Sequence, residues 1–186
     1  MRGLFFLLAL PLFTSTTSLA QGSSNTNALS NSTEIDYKMP GAPIPNFKVR
    51  LNNGKTVVNK DFAKYEQVMF VLFNPSCGHC LDFAKEVAQD KTPYKKTAII
   101  FIAARGMESY LQGFLVETGL DDRKDKNILV GTDQTPKVGD GFEMSEFLFQ
   151  LFEFRLPQIN IYDKERKMIC RKLGEVRMEE VKPFLK

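Results

Sequence analysis

Two stretches of the chain, residues 68–73 and 98–104, are continuous apolar runs of strand length. Such runs predict strands buried on both faces, in the middle of a sheet. Between them Leu81, Ala84, Val87 and Ala88 keep helical spacing as far as Pro93. The order is therefore strand, helix, strand, and a crossover of that length implies parallel pairing. Upstream, Phe47, Val49 and Leu51 alternate with polar residues and Asn53-Gly54 supplies a tight turn, which predicts a hairpin starting after Pro43-Ile44-Pro45.

Downstream, Met107, Tyr110, Leu111, Phe114 and Leu115 form a second helical stripe that stops at Gly119, and residues 127–130 predict a short strand. Residues 131–141, with Gly, Asp and Pro, read as a loop. Residues 142–154 crowd Phe147, Leu148, Phe149, Leu151 and Phe152 together, so the helix expected there is either buried in the core on several sides or covered by a partner. Residues 158–162 and 168–173 flank the charged turn 163–167 and predict an antiparallel hairpin, followed by a short helix after Gly174. The fold class is α/β: a central mixed sheet flanked by helices, with an N-terminal hairpin extension.

The 186-residue chain divides into three parts. Residues 1–20 carry Arg2, an apolar run over 4–13 and a polar tail ending Ser18-Leu19-Ala20, the layout of a cleavable signal peptide. Pro11 and the following Thr and Ser residues make the run too short to span a bilayer. Residues 21–39 are rich in Ser, Asn and Thr and predict a flexible tether, in which Asn31-Ser32-Thr33 is a glycosylation sequon of no further weight. Residues 40–186 form the domain. Its charge balance, 25 Lys and Arg against 22 Asp and Glu over the whole chain, gives no clustered basic face and so no reason to expect nucleic acid as a partner.

Chemistry concentrates in Cys77-Gly78-His79-Cys80, which follows the 68–73 strand and opens the next helix. Unpartnered N–H groups and a positive local potential at a helix start favour a thiolate. Cys77 is thus expected to attack. Cys80, one turn in, is placed to resolve a mixed disulfide. Ser76 and Gly78 contribute the backbone of the motif. His79, the only histidine, adds positive charge when protonated, which would raise the potential above about −270 mV and toward about −180 mV; the alternative is a solvated residue with no tuning role. Leu156-Pro157 precedes the 158–162 strand, where the proline is either cis, leaving backbone free to pair with an extended substrate, or a plain trans strand-start residue.

Taken together, this order of elements resembles the thioredoxin-like fold. The segment 42–47 and Asn53-Gly54-Lys55 further resemble the TlpA-like periplasmic thiol-disulfide oxidoreductases, over residues 39–186. The resemblance implies Cys77 as nucleophile, Cys80 as resolving cysteine and Pro157 as a cis-proline facing them, with Leu156 and Pro157 binding substrate. It also implies exported protein thiols or disulfides as substrates, a redox partner protein that can be membrane-bound, and neither cofactor nor metal. The Gly-His pair between the cysteines is the one found in protein disulfide isomerases, but Lys186 follows Leu185 with no retention signal, which favours a periplasmic or secreted location.

Departures from that family are visible too. Ser76 stands where a tryptophan usually precedes the first cysteine, Val71 replaces the buried acid of the central strand, and Phe83 takes an acidic position after the second cysteine. Proton transfer to Cys80 would then fall to water, His79, Asp82 or Glu86. Cys170 reads as a buried inert thiol, with a regulatory disulfide as the alternative. A peroxiredoxin is disfavoured because Asn74-Pro75-Ser76 lacks the Pro-x-x-x-Thr/Ser-x-x-Cys pattern. A non-enzymatic binding module or a copper(I) chaperone is the remaining alternative, since a single Cys-x-x-Cys is too few ligands for structural zinc.

The layout of residues 1–20 leads to a direct expectation: protein recovered after export begins at Gln21. Intact mass and N-terminal sequencing check this, and retention of residues 1–20 on the exported form would refute it.

Overall fold

The computed structural model describes residues 35–140 and 143–186. The expected signal peptide, the sequon and most of the expected tether lie outside these residues. The last part of that stretch, 35–39, makes a turn in which Asp36 accepts the Lys38 N–H at 2.9 Å. Folded contacts reach back this far, because the Arg171 guanidinium donates to the Lys38 carbonyl.

Seven strands form one mixed sheet: β1 (Lys48–Leu51), β2 (Thr56–Val58), β3 (Gln67–Phe73), β4 (Thr97–Ala103), β5 (Ile128–Asp133), β6 (Gln158–Tyr162) and β7 (Met168–Leu173). Their spatial order is β2-β1-β5-β4-β3-β6-β7. The apolar β3 and β4 pair in parallel, as do β4 and β5, while β1 and β6 run antiparallel to β5 and β3. Helix α1 (Gly78–Gln89) crosses over between β3 and β4, and α2 (Leu111–Thr118) between β4 and β5. A left-handed Gly119 at φ 72° ends α2, as its position predicts.

Alternation along β3 and β4 divides the core into two layers. Met69, Val71, Phe73, Ile99 and Phe101 face α1, α2 and the short α4 (Met178–Val181), in one cluster with Phe83, Val87 and Phe114. Val68, Phe70, Leu72, Ile100 and Ile102 form the other layer with Phe47, Phe147 and Tyr162. Phe70 meets Phe47, Phe147 and Tyr162 with rings edge-on at 5.0, 5.5 and 5.6 Å, a favoured aromatic geometry.

Two expectations are corrected. The predicted loop over 131–141 begins as strand: β5 continues to Asp133, pairing Leu51 with Gly131, Arg50 with Thr132 and Val49 with Asp133. Polar letters concealed this, yet Thr132 and Asp133 are fully buried with their side chains satisfied. Thr132 donates to Glu108 at 2.9 Å, and Asp133 accepts the Thr135 N–H at 2.8 Å and the Ser145 hydroxyl.

The second correction concerns the helix predicted over 142–154, which shortens to α3 (Glu146–Leu151); residue 142 lies outside the described residues. Ser145 caps its start by accepting the Leu148 N–H at 3.1 Å. At its end the Gln158 carboxamide intervenes, donating to the Leu151 carbonyl at 2.7 Å and accepting the Glu153 N–H at 2.8 Å. The same carboxamide donates to Asn160 at 3.0 Å. The helix is therefore closed by a side chain from β6. Core packing holds for Phe147 and Leu151 but not for Phe149 and Phe154, which are 52% and 76% exposed.

Gly131 is where β1 can approach β5. A Cβ built there would lie 2.4 Å from the Arg50 carbonyl oxygen and 2.8 Å from a Val49 methyl. Since backbone cannot yield as a flexible side chain does, Gly131→Ala is expected to destabilise the fold by about 2 kcal/mol or more. Chemical denaturation of the two proteins measures this, and an unchanged midpoint would contradict the packing described.

Candidate functional site

The site is assembled at one end of the β3–β6 pair. These strands run antiparallel with Leu72 opposite Gln158, so the residues after β3 and those before β6 emerge side by side. The first group carries the cysteines and the second carries Leu156 and Pro157.

After β3 the chain turns at Asn74, whose carboxamide oxygen accepts the Ser76 N–H at 2.9 Å while its carbonyl accepts the Cys77 N–H at 3.0 Å. This turn fixes where the helix begins. Cys77 is the N-cap residue of α1, extended at φ −88° and ψ 120°, and its carbonyl accepts the Leu81 N–H at 3.0 Å. An Asn-Pro dipeptide is a turn signal, so the bracing role of Asn74 was available in the sequence but not drawn from it.

Exposure separates the two sulfurs. Cys77 is half-buried, whereas Cys80 is 1% exposed and packed in the layer of Val71, Phe73 and Phe83. Both cysteines are free thiols, and burial, then the neighbouring Cys77 side chain, pushes the Cys80 thiol strongly upward, with the Asn74 backbone pulling the other way. The Cys77 thiol faces the Leu156 carbonyl at 3.9 Å, and the Leu156–Pro157 peptide is cis. Leu156 is half-buried and Pro157 buried. The motif residues Ser76 and Gly78 are exposed beside them.

His79 is exposed and lines a shallow groove with Asp82, Lys85, Glu86 and Arg177. Of the acids named from sequence, Asp82 is exposed in that groove. Glu86 is committed to α4, accepting the Met178 N–H at 2.7 Å and pairing with Arg177. Cys170 is buried, opposite Ile161 on β6, and burial raises its thiol.

A small apolar cleft of about 100 Å³ shares Asn74 and Leu156 with the surroundings of the thiol and is walled further by Met107, Leu148 and Phe152 among others. Among the described residues no three His, Cys, Asp or Glu side chains converge on a point where a metal ion could be held. The arrangement offers one accessible thiol, a second sulfur directly behind it and an apolar wall leading away from both. Such a pair can alternate between dithiol and disulfide.

No protein-family model matches the chain, and no curated protein matches it in sequence. Solved structures do. The thioredoxin domain of a thiol-disulfide oxidoreductase from Bacteroides vulgatus is 16% identical with a TM-score of 0.60, covering 80% of this chain and 99% of that one. A candidate protein disulfide isomerase from Bacteroides thetaiotaomicron is 18% identical, with a TM-score of 0.61 and coverage of 78% and 86%. DsbF of MTB, solved in mixed oxidized and reduced forms, is 12% identical, with a TM-score of 0.55 and coverage of 74% and 90%. The chain has the thioredoxin-like fold.

Unequal exposure sets an expected order of reaction. In the reduced, folded protein, iodoacetamide should modify Cys77 at least about tenfold faster than Cys80 or Cys170. Raising the pH to 9 should leave Cys80 protected, because its thiol ionises only on the alkaline side of the ordinary range. Peptide mapping against time gives the three rates; equal rates for Cys77 and Cys80 would overturn the assigned order.

Proposed function

We propose that this chain is an exported thiol-disulfide oxidoreductase that exchanges disulfides with proteins through Cys77 and Cys80. The observation that carries the reading is the half-exposed Cys77 sulfur at the N-cap of α1, with buried Cys80 behind it and the Leu156 carbonyl 3.9 Å in front. Solved neighbours named as thiol-disulfide oxidoreductase and as candidate protein disulfide isomerase support it, as does the signal-peptide layout of residues 1–20.

In the reducing direction the Cys77 thiolate attacks a substrate disulfide, forming a Cys77–substrate disulfide and releasing one substrate thiolate, which takes a proton. Cys80 then loses its proton and attacks the Cys77 sulfur, releasing the second substrate thiol. Two electrons pass to the substrate and the Cys77–Cys80 disulfide remains. A redox partner protein restores the dithiol. With net oxidation the same steps run in reverse.

Burial of Cys80 supports a division of labour. Substrate reaches only the outer sulfur, and the inner one becomes reactive when its neighbour is already in a mixed disulfide. Glu86 is held by α4, which leaves water, His79 or the exposed Asp82 to take the proton of Cys80. His79, exposed two residues after Cys77 in the chain, adds positive charge at the motif when protonated.

Cys80→Ser should accumulate the covalent Cys77–substrate complex, visible as a mass increase or a shifted band lost on adding dithiothreitol, while Cys77→Ser should form none. Loss of insulin-disulfide reduction by more than about a hundredfold is expected for Cys77→Ser. Trapping by Cys77→Ser, or unchanged turnover, would refute the mechanism.

A further inference from the structure

A larger groove, about 1000 Å³, lies next to the apolar cleft and shares Phe152 with it. One wall is Ile35 to Lys38, and the other carries Met144, Phe149, Phe152 and Phe154. Arg171 clamps both walls, since its guanidinium donates to the Lys38 carbonyl and pairs with the Glu153 carboxylate at 2.6 Å. The groove is thus a braced feature of the fold.

The most exposed of its large apolar residues is Phe154. This ring packs 5.1 Å from Phe152 yet remains 76% exposed, and its backbone is held at φ 58°. A bulky residue rarely adopts that conformation, and such outliers cluster where ligands are gripped. Beyond it the main chain is also open. The N–H groups of Phe154, Arg155 and Leu156 donate to no group among the described residues.

We propose that this groove is a side-chain subsite for an extended polypeptide whose disulfide has reached Cys77, an inference that rests on the exchange reading above and names its substrate class. Three kinds of chemistry meet around residues 152–156: a thiol for the disulfide, main-chain donors for peptide carbonyls, and aromatic walls for a large apolar side chain. Only a polypeptide satisfies all three. The rim carries both signs, Asp36 and Glu146 against Lys38 and Lys137, so selection rests on apolar burial rather than charge. Phe154 stands two residues before Leu156, whose carbonyl faces the Cys77 sulfur. The favoured side chain therefore lies a few residues from the reacting cysteine.

The test uses two synthetic peptides identical except for phenylalanine or serine three residues from a single cysteine, each carried as a mixed disulfide with thionitrobenzoate. Attack of Cys77 on the peptide sulfur expels the coloured, low-pKa thiolate, and absorbance gives the rate. At limiting peptide the phenylalanine form should react about tenfold faster, the worth of one partly buried aromatic side chain. Phe154→Ser should bring the two rates together, and Phe154→Leu should retain part of the difference.

Glutathione disulfide, too small to fill the groove, separates the two levels. If it fails to oxidise the Cys77–Cys80 pair of the unaltered protein, the exchange reading itself falls. If it succeeds while the peptides react alike, or while the preference survives Phe154→Ser, only the subsite is overturned. Sedimentation showing a dimer that Phe154→Ser dissociates would assign the groove to a second copy and overturn the proposal equally.

Discussion

Antiparallel pairing of β3 with β6 is the constraint on which the site depends. It joins two segments about 80 residues apart in the chain so that Cys77 and the Leu156 carbonyl face each other. Neither partner is placed by its own neighbourhood alone. β3 is held by β4 on one side and β6 on the other, and every residue along it is buried. A strand so enclosed has little freedom to slide, and the turn at Asn74 passes that rigidity directly to the start of α1.

Much of this was legible in the sequence because its signals were redundant. The 68–73 and 98–104 runs are continuously apolar, the helical stripe behind Cys80 keeps its spacing as far as Pro93, and the two hairpins turn at Asn53-Gly54 and at the charged segment 163–167. The juxtaposition of the Cys-x-x-Cys with Leu156-Pro157 came from resemblance, since nothing local states which strands pair. What failed did so for tertiary reasons. Gly131 to Asp133 look like loop, and become strand because β1 lies against them and because Glu108, Thr135 and Ser145 satisfy their polar side chains. Crowded phenylalanines over 142–154 suggested a long buried helix, whereas a carboxamide thirteen residues beyond the Ser145 cap ends it early.

The surroundings of Cys80 also illustrate how position divides similar groups. Glu86 is near Cys80 in sequence, but the Met178 N–H and Arg177 take up its carboxylate. An apolar layer containing Val71 and Phe83 surrounds the sulfur instead. Its reluctance to ionise therefore comes from exclusion of solvent more than from any charged neighbour.

Gln158 and Asn160 sit fully buried on β6, bonded to each other, with Gln158 also bonded to the end of α3. Their contribution is best understood as a check on threading. Slipping β6 by one residue would turn both carboxamides to the opposite face and leave the Leu151 carbonyl and Glu153 amide without their partner, at about 1–3 kcal/mol for each buried orphan. A strand of isoleucines could tolerate several alignments nearly equally well. With two amides on it, only one alignment is satisfied, and the loop that confronts the thiol inherits that uniqueness.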